Sequence, residues 1–232
     1  MASSVSIAQL QALPLFADLD ATLLAHLAQQ SQSVQYVKDE ILFQEGDALP
    51  ARLHILVSGR LRIAKLAPSG KETILRILSA GEVFAAPALF GNGQSPALVT
   101  ALEAVTVLWV DRAALLEGFA QTPDLALRLL GLFNQRLQQL HYRVHGLVSE
   151  RAIVRLVHYL EFMADCFGTD PVANGEQLRS RLDHYQIARS IGITYEECVR
   201  LFKQLKIAVI YRRGGQITIC DRHQLHAFST NV

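Results

Sequence analysis

Glycines recur through one stretch of this sequence at a nearly even pace, and that pace constrains the fold more than any other feature. Gly46, Gly59, Gly70, Gly81 and Gly91 are separated by 13, 11, 11 and 10 residues. Short β-rich runs lie around them at 34–37, 41–43, 53–57, 61–66, 73–78, 97–102 and 105–110. Strands this short, with a turn signal every ~8–12 residues, close into a sandwich or jelly roll. A parallel sheet would need crossover helices, and neither these nor a glycine-rich phosphate loop interrupts the runs. Within 61–66 the order Leu-Arg-Ile-Ala-Lys-Leu alternates, which predicts one buried and one wet face.

On either side of this stretch the period is helical. Leu19, Leu23, Leu24 and Leu27 are spaced for short helices over 7–29. After Asp111 a long pattern follows, opened by Pro123-Asp124, with proline acceptable in a first helical turn. Leu130, Phe133, Leu137, Leu140, Val144 and Leu147 then fall at steps of 3, 4, 3, 4 and 3, flanked by polar side chains such as Asn134, Gln138 and Arg143. A strict 3-4 repeat is the seam of a coiled coil, so a second copy of the chain is the expected partner. Another helix is expected over 151–167, then a loop over 168–175 rich in Gly, Asp, Pro and Asn.

The 232 residues are half apolar and 19% charged, enough for a real core and unlike a disordered or disulfide-stapled chain. No apolar run approaches the ~18 residues of a membrane helix, and the first six residues carry no basic flank of a secretory signal. Three scattered cysteines (Cys166, Cys198, Cys220) do not form a disulfide framework or zinc knuckle. A cytoplasmic protein without membrane partners is expected.

The net charge of +1 conceals a local excess: residues 179–213 hold eight basic against three acidic side chains, net +5. That is the footprint a phosphate backbone requires. Within it, counting His184 as position 1, apolar or small residues stand at 4, 5 and 8 (Ile187, Ala188, Ile191). Gly192 stands at 9, and Ile193, Cys198 and Leu201 at 10, 15 and 18. This is a helix-turn-helix pattern, in which Ala188 permits close helix approach, Gly192 takes the turn and Thr194 caps the second helix. Tyr195, Glu196, Val199 and Arg200 are left facing outward, where a recognition helix reads base edges. An arginine can contact guanine and a glutamate can accept from cytosine N4, although Glu196 and Arg200 could equally form an i,i+4 surface pair. Downstream, 207–211 and 216–219 flank Arg212-Arg213-Gly214-Gly215 and read as a hairpin wing. Arg212, Arg213, Lys203 and Thr194 are the expected phosphate contacts.

The order of β-roll, long helix, helix-turn-helix and wing resembles the CRP/FNR family of bacterial transcription regulators. The resemblance rests on Leu13-Pro14-Leu15-Phe16-Ala17-Asp18-Leu19, on Ile41-Leu42-Phe43-Gln44-Glu45-Gly46-Asp47 with Leu56-Val57-Ser58-Gly59-Arg60-Leu61, and on Glu196-Glu197-Cys198-Val199-Arg200-Leu201. It implies an α+β chain: a cyclic-nucleotide-binding-like jelly roll over 1–121, a dimerisation helix over 122–150 and a winged helix-turn-helix over 151–232. It further implies duplex DNA, a second copy and RNA polymerase as partners, and a palindromic operator. Glu196 and Arg200 match the family's base-reading pair, and His184 stands where the family has a phosphate-contacting basic residue at the start of the first motif helix, so the resemblance implies a phosphate contact there too. Tyr195 replaces the second guanine-reading arginine of catabolite-type members, and Val199 replaces the serine of fumarate–nitrate-type members.

For effectors, the same resemblance is mostly negative. Nucleotide-binding members carry Gly-Glu-Leu-Gly, a short helix and then Arg-Ser-Ala. Here Gly81-Glu82-Val83-Phe84 keeps the first half, with Glu82 where a ribose would be held, but Ser95 stands in place of the phosphate arginine. A buried phosphate without a cation costs several kcal/mol, so cyclic AMP is not expected. Leu140 replaces an adenine-contacting threonine, and Arg136, which matches a pocket arginine, is expected to pair with Glu82. No cysteine precedes residue 166, so no iron–sulfur cluster is expected. Gln135 and Leu140 stand where 2-oxoglutarate-binding members use an arginine and a glutamate. His141 and His145 are spaced i, i+4, a metal-compatible spacing with no cysteine or carboxylate nearby in sequence.

Two other function classes bear comparison. A cupin-like metal enzyme needs a His-x-His cluster, whereas His54 is the one histidine of the β-rich stretch. The helix-turn-helix could instead contact protein, and steep salt dependence of DNA binding would separate the two. The regulator accounts for more of the sequence, and no enzyme is expected.

Overall fold

The computed structural model describes residues 3–70 and 72–230. The chain divides into two compact units, Met1–Leu137 and Gln138–Val232.

The first unit opens with β1 (Ser3–Ser4), α1 (Ile7–Gln11) and α2 (Ala21–Gln29). Asp20 caps α2 by accepting from the backbone N–H groups of Thr22 and Leu23, which holds its carboxyl below the ordinary range. Strands β2 (Ser31–Tyr36), β3 (Ile41–Phe43), β4 (Arg52–Ser58), β5 (Leu61–Leu66), β6 (Glu72–Leu78) and β7 (Val83–Phe84) follow. After the short α3 (Pro87–Phe90) come β8 (Leu98–Ala101), β9 (Val105–Asp111), α4 (Arg112–Gln121) and the long α5 (Pro123–Ser149). The strands form two antiparallel sheets, ordered β1-β2-β9-β4-β7 and β3-β8-β5-β6.

Two cores explain the strand sequences. Leu56, Phe84 and Val107 join Leu61, Leu78 and Val99 in the core between the sheets. Leu53, Ile55, Leu108 and Val110 point the opposite way and pack with Leu23, Leu24, Leu27, Leu115, Leu125 and Leu129 of the helices. A sheet covered on both faces has no wet side there, so β4 and β9 carry apolar residues at successive positions, 55–57 and 107–110. The alternation expected for β5 breaks down: Ala64 is fully buried and Leu66 is exposed. The cause is a slip in the β5–β6 ladder, where Ile63 pairs with Arg76 but Ala64 with Ile74.

The second unit contains the end of α5, then α6 (Ala152–Phe167), β10 (Thr169–Val172), β11 (Gly175–Leu178), α7 (His184–Ile191) and α8 (Tyr195–Gln204). β12 (Val209–Arg212), β13 (Gln216–Ile219) and α9 (Arg222–Thr230) complete it. The sheet order is β10-β11-β13-β12. The segment 168–175, expected as a loop, is therefore largely a hairpin. Thr169 to Val172 pair in register with Leu178 to Gly175, and β11 is held in turn by β13. Pairing with a distant strand supplies what the Pro- and Gly-containing segment lacks in local propensity.

Candidate nucleic-acid interface

The two helices of the motif are set by their caps. Asp183 and Gln186 form a reciprocal capping box at α7, with Gln186 N–H donating to Asp183 Oδ1 at 2.7 Å. Gly192 ends α7 in the left-handed conformation (φ 72°), and the N–H groups of Gly192 and Ile193 both return to the Ala188 carbonyl. Thr194 then caps α8, its Oγ1 accepting from Glu197 N–H at 3.1 Å. Ile187, Ala188 and Ile191 of α7 and Cys198, Leu201 and Phe202 of α8 are buried. Burial pushes the Cys198 thiol up to about 12, so it behaves as a small apolar side chain.

Tyr195, Glu196 and Arg200 are exposed and Val199 is half-buried on the outer face of α8, with Lys203 exposed one turn after Val199. The alternative of a Glu196–Arg200 surface pair is not what the structure shows. Arg200 Nη2 lies 3.5 Å from Glu197 Oε1 instead, an i,i+3 contact. The wing is a tight hairpin in which Arg212 pairs with Gln216, leaving Arg212 and Arg213 exposed. Its Gly215 carbonyl accepts from Leu182 N–H at 2.9 Å, and a Cβ at Gly215 would stand 2.9 Å from the Leu182 backbone.

His184 occupies a different setting from the phosphate contact expected of it. Its ring stacks on Tyr211 at 3.8 Å and meets Phe202 and Tyr195 edge-on at 5.0 and 6.0 Å. Nε2 is buried with no hydrogen-bond partner, and desolvation lowers the imidazole pKa. Three elements meet at this ring: α7, α8 and β12. Its structural part in joining them was not legible from position alone.

Residues 33–122 match the family model of the cyclic nucleotide-binding domain, and residues 154–228 match that of the Crp-like helix-turn-helix domain. The chain belongs to the CRP/FNR family. It is a DNA-binding transcription regulator of CRP/FNR type. The "CRP-like cAMP-activated global transcriptional regulator" of Mycobacterium tuberculosis is 28% identical over 184 residues, 78% of this chain and 80% of that protein. The "Probable transcriptional regulator flp" of Lacticaseibacillus casei is 26% identical over 217 residues, 93% of this chain and 95% of the relative. The fold is shared with FixK2 from Bradyrhizobium japonicum (TM-score 0.74, 22% identity, 87% of this chain and 98% of that one). It is also shared with a CooA mutant from Carboxydothermus hydrogenoformans (TM-score 0.76, 22% identity, 99% and 98%).

In this CRP/FNR chain the polar groups of the nucleotide cassette are turned to internal structure. Glu82 lies in the turn between β6 and β7, paired with Arg76 and accepting from Ser79 N–H at 2.6 Å and Ser79 Oγ at 3.0 Å. It was expected to face a ribose or Arg136; the structure gives its carboxylate to its own turn. No carboxylate stands between Val83 and Gly91, the segment containing α3. Ser95 is buried, and its hydroxyl donates to the Ala97 carbonyl at 2.8 Å. Phe84 is a core residue in ring contact with Phe43 and His54. Arg136 is half-buried and Leu140 exposed on α5.

His54 is 5% exposed, and its Nδ1 has no hydrogen-bond partner. Burial, with the Arg52 charge second, lowers its pKa to about 4. His141 and His145 are exposed on α5. Among the described residues no group of three or more His, Cys, Asp or Glu side chains is placed to hold a metal, and no helix is long and apolar enough to cross a membrane.

Proposed function

We propose that this regulator binds a palindromic operator as a homodimer, reading bases with Tyr195, Glu196, Val199 and Arg200. Lys203, Arg212 and Arg213 contact phosphates, Thr194 sits at the same rim, and His184 supports them from behind. The observation that carries this reading is the outer face of α8: Arg200 projects from its middle, its side chain 64% exposed, above a buried Cys198–Leu201–Phe202 face. Such a helix can enter a major groove without unpacking.

The dimer is supported by α5. Leu130, Leu137, Leu140, Val144 and Leu147 are each 45–61% exposed, while Phe133 is half-buried against Phe90. A stripe of aliphatic side chains at 3-4 spacing facing water is what a second helix would cover. The two-fold axis sets half-sites about one helical turn apart, ~34 Å. RNA polymerase is the expected protein partner, the cytoplasm the place of action, and no catalytic step is assigned.

We infer that cyclic AMP is not the effector. The support is chemical: Ser95 offers no positive charge, its hydroxyl is bonded to Ala97, and Glu82 is bonded to Arg76 and Ser79. Binding isotherms on cognate and scrambled duplexes at two salt concentrations test the DNA reading. Sequence preference with a steep salt slope is expected, and absence of binding at low salt overturns it.

A further inference from the structure

The end of α5 does more than continue a seam. Arg143 and Leu147 lie one turn apart on it, so they share a face, and both reach the turn of the helix-turn-helix. Arg143 Nη2 donates to the Ser190 carbonyl in the last turn of α7. Leu147 Cδ2 stands 2.9 Å from where a Cβ on Gly192 would be, so the glycine permits the side chain to seat directly on the turn. From α6, Arg155 Nε donates to the Ile191 carbonyl at 3.0 Å, while its Nη1 donates to Glu150 O at 2.8 Å, just beyond the end of α5. Two guanidinium groups thus hold neighbouring carbonyls at the negative end of α7, where a cation is favoured and carbonyls lack intrahelical partners. Burial lowers the Arg143 pKa, the mark of a charge taken into the packing rather than left at the surface.

On the adjoining face of the same helix, Leu137, Leu140 and Val144 are exposed for the second copy. We propose that Arg143 and Leu147 are positioning residues that fix the helix-turn-helix to the dimerisation helix and thereby set the half-site spacing the dimer accepts. This rests on the homodimer–palindrome reading above. One base pair rotates the groove by roughly a tenth of a turn, since a turn holds about 10–10.5 base pairs. A rigid attachment cannot follow that rotation; a loosened one can.

The test uses full-length protein and palindromic duplexes selected from a random pool by the wild type, then rebuilt with the central spacer lengthened or shortened by one and two base pairs. Wild type should discriminate by roughly tenfold per added or removed base pair, equivalent to about 1.4 kcal/mol. Arg143→Met should bring that ratio toward parity while leaving affinity for a single half-site and the dimer mass unchanged. Arg143→Lys, which keeps a donor, should recover part of the discrimination. Arg155→Met, which removes the bond from α6 to the Ile191 carbonyl and leaves the α5 seam untouched, is the second variant, for use if Arg143→Met does not fold, and should relax spacing in the same direction. Unchanged spacing ratios in the folded variants overturn the proposal, as does equal loss on half-site and full-site duplexes. If the wild type itself shows no spacing preference, the two-fold reading fails first and this one with it.

Discussion

Arg200 and Glu197 lie one helical turn apart on α8, with 3.5 Å between Nη2 and Oε1, so the arginine reaches outward from a carboxylate on its own helix. An exposed pair of this kind adds little stability, but it narrows the directions the guanidinium samples. Arg200→Ala should cost ~1–3 kcal/mol on the cognate site and flatten preference among half-site variants. Glu197→Gln should cost less and leave the preferred bases unchanged. Isotherms on a panel of single-base half-site variants measure both, and wild-type affinity across the whole panel for the Gln variant would remove the orienting role.

Arg213 should behave differently. Arg213→Ala is expected to weaken all duplexes alike and reduce the salt slope by about one unit per monomer. A change in sequence preference instead would place the wing on base edges.

The dimer seam has a direct assay. Leu137 is 49% exposed in the single chain, and Leu137→Asp would set two carboxylates against each other across the two-fold axis. Light scattering should then report monomers. A variant that remains dimeric means that the subunits meet elsewhere.

Buried His54 gives the fold an acid limit. Its pKa falls from 6.5 to about 4 in the folded chain, so between those values the unfolded chain binds the proton more readily. The histidine's contribution is therefore complete above pH ~6.5 and is lost as pH falls toward 4, by about 3 kcal/mol at most. His54→Leu should flatten that part of the stability–pH curve. Denaturant titrations at pH 7, 5.5 and 4 would show it, and parallel curves for both proteins would refute it.

Calorimetry with cyclic AMP should show no tight binding. Micromolar affinity would mean that a cation other than an arginine at position 95 meets the phosphate.

Much of this was legible in the residue order because it is local. Asp183, Gly192 and Thr194 determine helix ends through bonds to residues five or fewer positions away, so the helix-turn-helix follows closely from sequence. The strands of the roll follow from spacing, and β3 (Ile41–Phe43) and β5 (Leu61–Leu66) fall at the expected bounds. What sequence conceals is the choice among neighbours of similar chemistry. Arg200 has two glutamates within a helical turn, and its guanidinium lies beside Glu197 rather than Glu196. Glu82 had Arg76 across its own turn, a partner visible only once β6 and β7 are folded. His184 looked like a surface base until Tyr211 arrived from β12 to cover it.

The bond between Leu182 N–H and the Gly215 carbonyl bears on how fast and how well the wing can act. It ties the hairpin tip to the residue just ahead of the α7 cap, with no room at Gly215 for a side chain to intervene. Arg212 and Arg213 are thus carried on a backbone already in its working shape, and only their side chains remain to be ordered when they meet a phosphate. Freezing a rotamer-rich side chain costs ~0.5–1.5 kcal/mol, whereas ordering a free loop would add backbone entropy at every residue. With Arg212 and Arg213 in the phosphate contacts proposed for them, pre-organisation of this sort would strengthen every encounter with DNA, cognate or not, and so favour rapid search along the duplex before the recognition helix commits to a site.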